Sequence, residues 1–371
     1  MTRLHAEVGG VNLAQGLPDF DPPRELLRAL RTAIRDSQSH QYGFTWGVPE
    51  FREAVAKKSA RFNGIVAHPD TEVTVTCGVS EGVAAAVLAL TEPGDEAVIL
   101  EPWYENYVPV CALAGVRPRF VALRPPDFRL DVRALARAIT PRTRILFVNT
   151  PGNPSGRVFS REELTEIARL CQRHGLIAVT DEIYEHIWFD GHRHVSLAAL
   201  PGMEDRTVTL SGLGKSYAVT GWRVGWATAA APLTALLRKV HDYVTICAPT
   251  AFQLAGCAAL ELPDAYYEEL RRRYAARRRI LLDALEAAGL SFATPEGAYY
   301  VMVDAAPLGW KDDYAFVDFL AREVGVIAVP GSSFYAPRGG GGRTQIRVNF
   351  AKREETLLEA ARRLTGTSLR L

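Results

Sequence analysis

Lysine and cysteine are scarce in this chain and long apolar runs are missing, and each shortage narrows what the protein does. Lysine occurs six times in 371 residues, at Lys57, Lys58, Lys215, Lys239, Lys311 and Lys352, against a large excess of arginine. Each lysine can therefore be weighed singly, and five of them sit in polar or helical surroundings that predict solvated ammonium groups. Cysteine occurs five times (Cys77, Cys111, Cys171, Cys247, Cys257), an odd number without CxxC spacing, mostly within apolar segments. That pattern argues against a disulfide framework or a zinc site and predicts buried thiols in a reducing compartment. No stretch reaches the roughly 18 uninterrupted apolar residues of a membrane span, and Met1-Thr2-Arg3-Leu4-His5 has no apolar signal core. The expectation is a soluble, cytoplasmic protein without a metal. Neither charge sign is in excess: Lys+Arg is 43, Asp+Glu is 42, and the net charge is +1. Nothing in that balance points to nucleic acid or an anionic membrane as a partner.

What remains is an ordinary globular composition, 48% hydrophobic and 23% charged. The length suggests about two domains. Short apolar runs at Val73 to Thr76, Ala97 to Leu100, Arg117 to Val121, Ile145 to Asn149, Leu176 to Thr180, Thr207 to Leu210 and Val224 to Ala227 read as buried strands. Helical periodicity separates most of them, as at Glu81 to Leu90, Tyr107 to Ala114, Asp131 to Ile139 and Arg161 to His174. Strands alternating with helices predict an α/β fold with a large, mostly parallel sheet that binds ligands at the carboxyl ends of its strands. Upstream, residues 11 to 20 read as an extended arm broken by Gly16 and Pro18, followed by a helix to about Ile34 with Leu26, Leu27, Leu30 and Ile34 on one face. Downstream, an arginine-rich helix from about Asp264 to Ala288 leads into a smaller α+β unit with strands at Gly297 to Val303, Val326 to Val329 and Gln345 to Asn349. A helix at Glu354 to Leu364 closes it, and the glycine run between Arg338 and Arg343 reads as a loop.

The stretch Leu210 to Trp226 holds one lysine, Lys215, among glycines and the apolar Leu213, Tyr217, Val219 and Trp222. A lysine in such company is a candidate imine former. A P-loop reading of Gly214-Lys215-Ser216 fails, because that motif needs glycine six residues before the lysine and Thr209 stands there. Four other segments sit at strand ends. Thr76-Cys77-Gly78-Val79-Ser80 closes a strand and opens a helix, leaving first-turn N–H groups free for an anion. Glu101 to Tyr107 is aromatic and directly follows a strand, so its rings either pack on the core or lie on a planar ligand. Pro151-Gly152-Asn153-Pro154 is an ordinary turn that carries a two-way hydrogen-bonding amide. Asp181 ends an apolar run and needs a cationic partner there.

Together these pieces resemble the class I/II aminotransferases of fold type I, which use pyridoxal 5'-phosphate (PLP). The resemblance runs from Gln15-Gly16-Leu17-Pro18-Asp19-Phe20 to Arg347-Val348-Asn349-Phe350-Ala351-Lys352. It is most specific at Asn153-Pro154-Ser155-Gly156, at Asp181-Glu182-Ile183-Tyr184, and at Lys215 followed by Arg223 in Thr-Gly-Trp-Arg-Val-Gly. Its look is that of the kynurenine, glutamine and aromatic aminotransferase branch. The resemblance implies that Lys215 holds PLP covalently and moves the α-proton, while Asp181 pairs with the pyridine nitrogen. Tyr184 and Asn153 would bond the phenolic oxygen, and Tyr104 would stack on the ring. The Gly78-Val79-Ser80 turn and Arg223 would hold the phosphate, with Ser211 as a further candidate. Relatives often carry a serine where this chain has Gly212 or Gly214. Arg347, Asn153 and the Gly16 backbone would grip the substrate carboxylate. Tyr42 matches a tyrosine that reaches the phosphate of the neighbouring subunit, implying a homodimer with composite sites; the plain alternative is an aromatic filling a domain seam. The implied organisation is an arm and first helix (1–38) belonging to the small domain, a large PLP-binding domain (39–270), and a small C-terminal domain (271–371) that includes the linker helix.

The expected activity is transfer of an amino group from an L-amino acid to a 2-oxo acid. The same cofactor and residues would also serve a β-lyase, or a cyclase or oxidase of a secondary pathway. A regulatory protein with an aminotransferase-like sensor is not expected, because it would need a DNA-binding module, for which this sequence offers neither length before Gln15 nor a basic patch. Phe20, Trp103 and Tyr104 favour a neutral or aromatic substrate side chain.

Overall fold

The computed structural model describes residues 1–337 and 339–371. Arg338, which opens the glycine run read as a loop, lies outside them, and the rest of that run is turn and coil. The first strand, β1 (Val11–Asn12), belongs to the arm. Seven strands then build the main sheet: β2 (Val73–Thr76), β3 (Glu96–Glu101), β4 (Arg117–Ala122), β5 (Thr143–Asn149), β6 (Ile177–Asp181), β7 (Thr207–Gly212) and β8 (Gly225–Thr228), in the spatial order β2-β8-β7-β6-β5-β3-β4. All pairings from β7 through β6, β5 and β3 to β4 are parallel. Only β8 runs against its neighbours β2 and β7.

Most of these strands form because their side chains have no solvent face, the exception being the edge strand β4, where only Val121 is buried. Every residue of β2, β3, β7 and β8 is buried, as continuous apolar runs require in a sheet covered by helices on both sides. The helix Arg161–His174 shows how local signals fix the crossovers. Ser160 and Glu163 form a reciprocal capping box at its start, and Gly175 in the left-handed conformation stops it.

The small unit contains β9 (Ser291–Phe292), β10 (Tyr300–Asp304), β11 (Val326–Ile327), β12 (Val329–Pro330) and β13 (Gln345–Asn349). Four of them make an antiparallel sheet in the order β12-β13-β10-β9, while β11 pairs in parallel with β1 of the arm. The single strand expected over Val326 to Val329 is thus divided between two sheets. The helix Asp264–Ala287, 24 residues and so about 36 Å long, ties the units together. Tyr267 packs with the core under β2, while Tyr274, Leu281 and Leu285 pack with the small unit.

Three expectations change. The first helix, Arg24–Ala33, buries Leu26 against Val48, Phe51, Ala255 and Ala259, so it packs with the large unit and not with the small one. Its Ile34 is 47% exposed instead of facing the core. The lysines also divide differently. Lys58 and Lys352 are buried, Lys58 against Glu185 and Asn63 and Lys352 on the carbonyl of Leu17. Neither burial is visible locally, because the partners come from distant segments. All five cysteines are free; Cys111 and Cys171 are buried and the other three partly so. Among the described residues no helix is long and apolar enough to cross a membrane.

Candidate active site

The register of the parallel strands brings the chemistry together. Asn149 of β5 lies beside Asp181 of β6, which lies beside Leu210 of β7, all at the carboxyl edge of the sheet. The segments leaving β2, β3, β5, β6 and β7 line one cavity with Gly78, Val79, Ser80, Tyr104, Asn153, Asp181, Tyr184, Lys215 and Arg223. Tyr300, Thr220, Ile183, Gly214 and Val224 complete the wall.

Asp181 is the buried anion of the site. One oxygen accepts from the Tyr107 hydroxyl at 2.9 Å and the other from the Ile183 N–H at 3.2 Å. Burial raises its carboxyl to about 6, against the lowering effect of those two bonds and of Lys215. Burial likewise lifts the hydroxyls of Tyr107 and Tyr184 well above the ordinary phenol value, so both stay protonated donors. Tyr184 donates to the Tyr300 hydroxyl at 3.2 Å.

Lys215 is half-buried, and its Nζ reaches the Gly16 carbonyl at 3.4 Å, a long contact that leaves the amine weakly held. Its Nζ lies 5.8 Å from the centre of the Tyr184 ring and 5.7 Å from that of Tyr299. Gly16 also accepts from the Tyr299 hydroxyl at 2.9 Å, and a Cβ at this position would come within 1.9 Å of the Tyr300 oxygen. Only glycine lets the arm approach so closely.

Opposite, two residues past the end of β2, Gly78 at φ 76° caps the helix Val79–Leu90. A Cβ on Gly78 would stand 2.4 Å from the Arg223 guanidinium. Backbone donors, a helix start and an exposed arginine therefore face one small concavity, which suits a phosphate. Arg347 of β13 is 5% exposed and clamped between two rings, 4.5 Å from the centre of Tyr300 and 4.7 Å from that of Phe334. It donates to Asn153 Oδ1 at 2.9 Å and to the Ala14 carbonyl at 3.0 Å, while its buried Nε has no partner. A planar fork with an unspent donor suits a carboxylate.

One residue read from the sequence as a candidate phosphate contact lies elsewhere. Ser211 does not line the cavity: its hydroxyl donates to Glu185 Oε1 at 2.6 Å on the far side of β7. Strand alternation turns its side chain away from the turn that carries Lys215. Tyr42 is 81% exposed in a separate open groove with Phe44, Thr250 and Leu254. Sequence reasoning missed Tyr107 and Tyr300. Tyr107 opens the helix Tyr107–Leu113 three residues after Tyr104, in the same aromatic segment that follows β3, and that clustering could have revealed it.

Behind the cavity, Glu182, Glu185 and His194 are close enough to share a metal ion. The Lys58 ammonium already lies against Glu185, however, and supplies the positive charge there.

Comparison with known proteins agrees with the geometry. The family model "Aminotransferase class I and II" matches residues 8–364. A probable N-succinyldiaminopimelate aminotransferase of Mycobacterium tuberculosis is 41% identical, over 98% of this chain and 94% of that protein. The solved structure of N-succinyldiaminopimelate aminotransferase from that organism superposes with a TM-score of 0.96, covering 99% of this chain and 95% of the other at 41% identity. The methionine aminotransferase of Escherichia coli is 38% identical, over 98% of this chain and 94% of that protein. The mouse kynurenine–oxoglutarate transaminase 1 is 35% identical, over 98% and 93%. The chain belongs to the class I and II aminotransferases, fold type I enzymes that use PLP to move an amino group from an amino acid to a 2-oxo acid.

Proposed function

We propose that this aminotransferase takes neutral or aromatic L-amino acids as donors and works in the cytoplasm as a homodimer with composite active sites. The observation that carries the substrate reading is the aromatic wall about Lys215. Tyr184, Tyr299 and Tyr300 stand edge to face beside it, and Tyr274 extends the cluster from Tyr299 to Phe20 of the arm. Such a wall favours an apolar or aromatic side chain over a second carboxylate. The partners are a small amino acid and a 2-oxo acid.

The residues fit PLP. The Gly78 turn would be filled by any Cβ, Lys215 is weakly held, and Asp181 is a buried carboxylate without a cation bound to it. When bound, PLP supplies an electron sink that lets the α-carbon to hydrogen bond break. The N–H groups of Val79 and Ser80, with Arg223, would hold its phosphate. Asp181 would keep a proton on the pyridine nitrogen, and Tyr184 and Asn153 would bond the phenolic oxygen while Tyr104 would cover the ring. Lys215 would bind the cofactor, and its Nζ would take the α-proton and return it. Arg347 and Asn153 orient the substrate carboxylate, beside the Gly16 backbone.

A panel of donors tests the substrate reading. Aromatic and large neutral amino acids should exceed aspartate in kcat/KM by about tenfold or more. Arg347→Ala should raise the KM of every donor by about a hundredfold and leave the cofactor spectrum unchanged, since the guanidinium meets the carboxylate and not PLP. A preference for aspartate, or an unmoved KM, would overturn the corresponding assignment.

The dimer reading rests on an exposed apolar face. Tyr42 and Phe44 are 81% and 65% exposed, and Tyr243, Val244 and Ile246 are 93%, 55% and 44% exposed. A patch of that character marks an association surface. On this reading Tyr42 completes the phosphate site of the other subunit about a two-fold axis. Lys215→Ala chains mixed with Tyr42→Ala chains should then regain about a quarter of native activity, because half of randomly paired dimers hold one intact site of two. Mass spectrometry confirms the exchange. Confirmed heterodimers without gain, or an active monomer in sedimentation, refute the shared site. The free thiols support the cytoplasmic reading.

A further inference from the structure

A buried polar hub lies directly behind the site. Glu185 is 2% exposed, and its carboxylate ties three segments distant in sequence. Oε1 accepts from Ser211 Oγ of β7 at 2.6 Å and pairs with the ammonium of Lys58, at the end of the helix Pro49–Lys58. Oε2 accepts from Asn63 Nδ2 at 2.7 Å, and Lys58 also donates to Asn63 Oδ1 at 2.9 Å. Asn63 further donates to Ser196 Oγ at 2.7 Å, and Ser196 bonds Glu182, the neighbour of Asp181. Burying a lysine and two glutamates is costly, and an apolar core of equal volume would often stabilise as well. What such a hub provides is position. Ser211 stands four residues before Lys215, and Glu185 four residues after Asp181.

We infer that Glu185 is a positioning residue for the reaction: through Ser211, Lys58 and Asn63 it fixes β7 and the Asp181–Tyr184 turn against each other, and so sets where Lys215 meets Asp181. The inference rests on the cofactor roles of Lys215 and Asp181 given above. Burial pushes the Glu185 carboxyl up, but the Lys58 ammonium and its hydrogen bond outweigh it and leave it at about 2, so this carboxylate is ionised throughout the working range. Burial also lowers Lys58, against the attraction of Glu185.

Ser211→Ala cuts the tie between Glu185 and β7 and leaves the Lys58 pair in place, so the fold should persist with a melting point a few degrees lower. PLP affinity should stay within about twofold, while kcat falls about tenfold with KM little changed, because a small misplacement of Lys215 costs turnover more than binding. The readout independent of turnover is the pH titration of the holoenzyme's visible absorbance. Its pKa should move by about half a unit, since the field of Asp181 at the Lys215 nitrogen depends on their separation. The double variant Lys58→Met/Glu185→Gln removes both charges at similar volume and should move the titration the same way. If Ser211→Ala folds and keeps both the native kcat and the native titration, the hub is structural only and the inference fails. A fall in PLP affinity with an unmoved titration also overturns it, returning Ser211 to the phosphate. If the double variant does not fold, Ser211→Ala alone decides. Borohydride trapping on native protein checks the Lys215 role separately, so a failure there is distinguishable from a failure of the hub.

Discussion

Replacing Lys215 by alanine is expected to lower transamination by about a millionfold, and borohydride-treated native holoenzyme to carry the reduced cofactor on Lys215 alone. The other five lysines make this a discriminating experiment. Lys57, Lys239 and Lys311 are exposed, and an ammonium in water is a poor imine former at neutral pH. Lys58 is buried but held by Glu185 and Asn63. The real rival is Lys352, whose Nζ lies 2.7 Å from the Leu17 carbonyl, one residue along the arm from Gly16. Burial lowers its pKa, as a reactive lysine requires. Yet it does not line the cavity that contains Asp181 and Tyr184, and Lys215 does. Peptide mapping separates the two, and a pyridoxyl group on Lys352 would overturn every role assigned around Lys215.

The contrast between these lysines shows what the sequence made legible. Apolar runs ending in a polar residue mark the carboxyl edge of a parallel sheet, so the strand ends at Thr76 and Asn149 could be read without coordinates, while those read at Thr180 and Leu210 fall one and two residues short of the observed Asp181 and Gly212. Burial of a side chain that points away from its own element could not. Lys58 closes a helix next to Lys57, and nothing within several residues shows that Glu185 waits 127 positions later. Ser211 has the same difficulty at shorter range: proximity to Lys215 in sequence suggested a shared face, whereas the pleat of β7 sends it toward Glu185.

Helices followed the same rule. Arg161–His174 announces itself by an apolar stripe, a capping box and a glycine stop. The helix Thr250–Leu260 goes unseen because, apart from the buried Gln253, its residues are small or apolar, so no polar stripe defines a period. Tyr300 was invisible as a cavity residue for a different reason. Its role depends on how β10 of the small unit meets the arm, a relation between domains that periodicity does not encode.

Asp181→Asn is expected to retain PLP yet lose about a thousandfold in turnover, equivalent to about 4 kcal/mol of barrier. The amide keeps one oxygen, which can accept from Tyr107 or from Ile183 but not from both, because these donors meet different oxygens of Asp181, so the local structure should hold with one of the two bonds lost. What it lacks is the charge that keeps a proton on the pyridine nitrogen. The raised carboxyl supplies a second test. A pKa of about 6 in the protein, above the usual 3.9 or so of an unfolded aspartate, means the folded apoprotein binds this proton more tightly than the unfolded chain. Its stability therefore falls as pH rises from about 4 to about 6, by about 3 kcal/mol in all, and stays at that level above. A pyridinium cation beside Asp181 would cancel this penalty. The stabilisation brought by PLP should accordingly be larger at pH 8 than at pH 5 in the native protein, and the two should converge in Asp181→Asn. Differential scanning calorimetry of apo and loaded protein at both values measures this directly. Tyr107→Phe, which removes one donor and leaves the charge, should cost only about tenfold in turnover. Near-native rates in Asp181→Asn, or equal PLP stabilisation at both pH values in the native protein, would reduce Asp181 to a structural carboxylate.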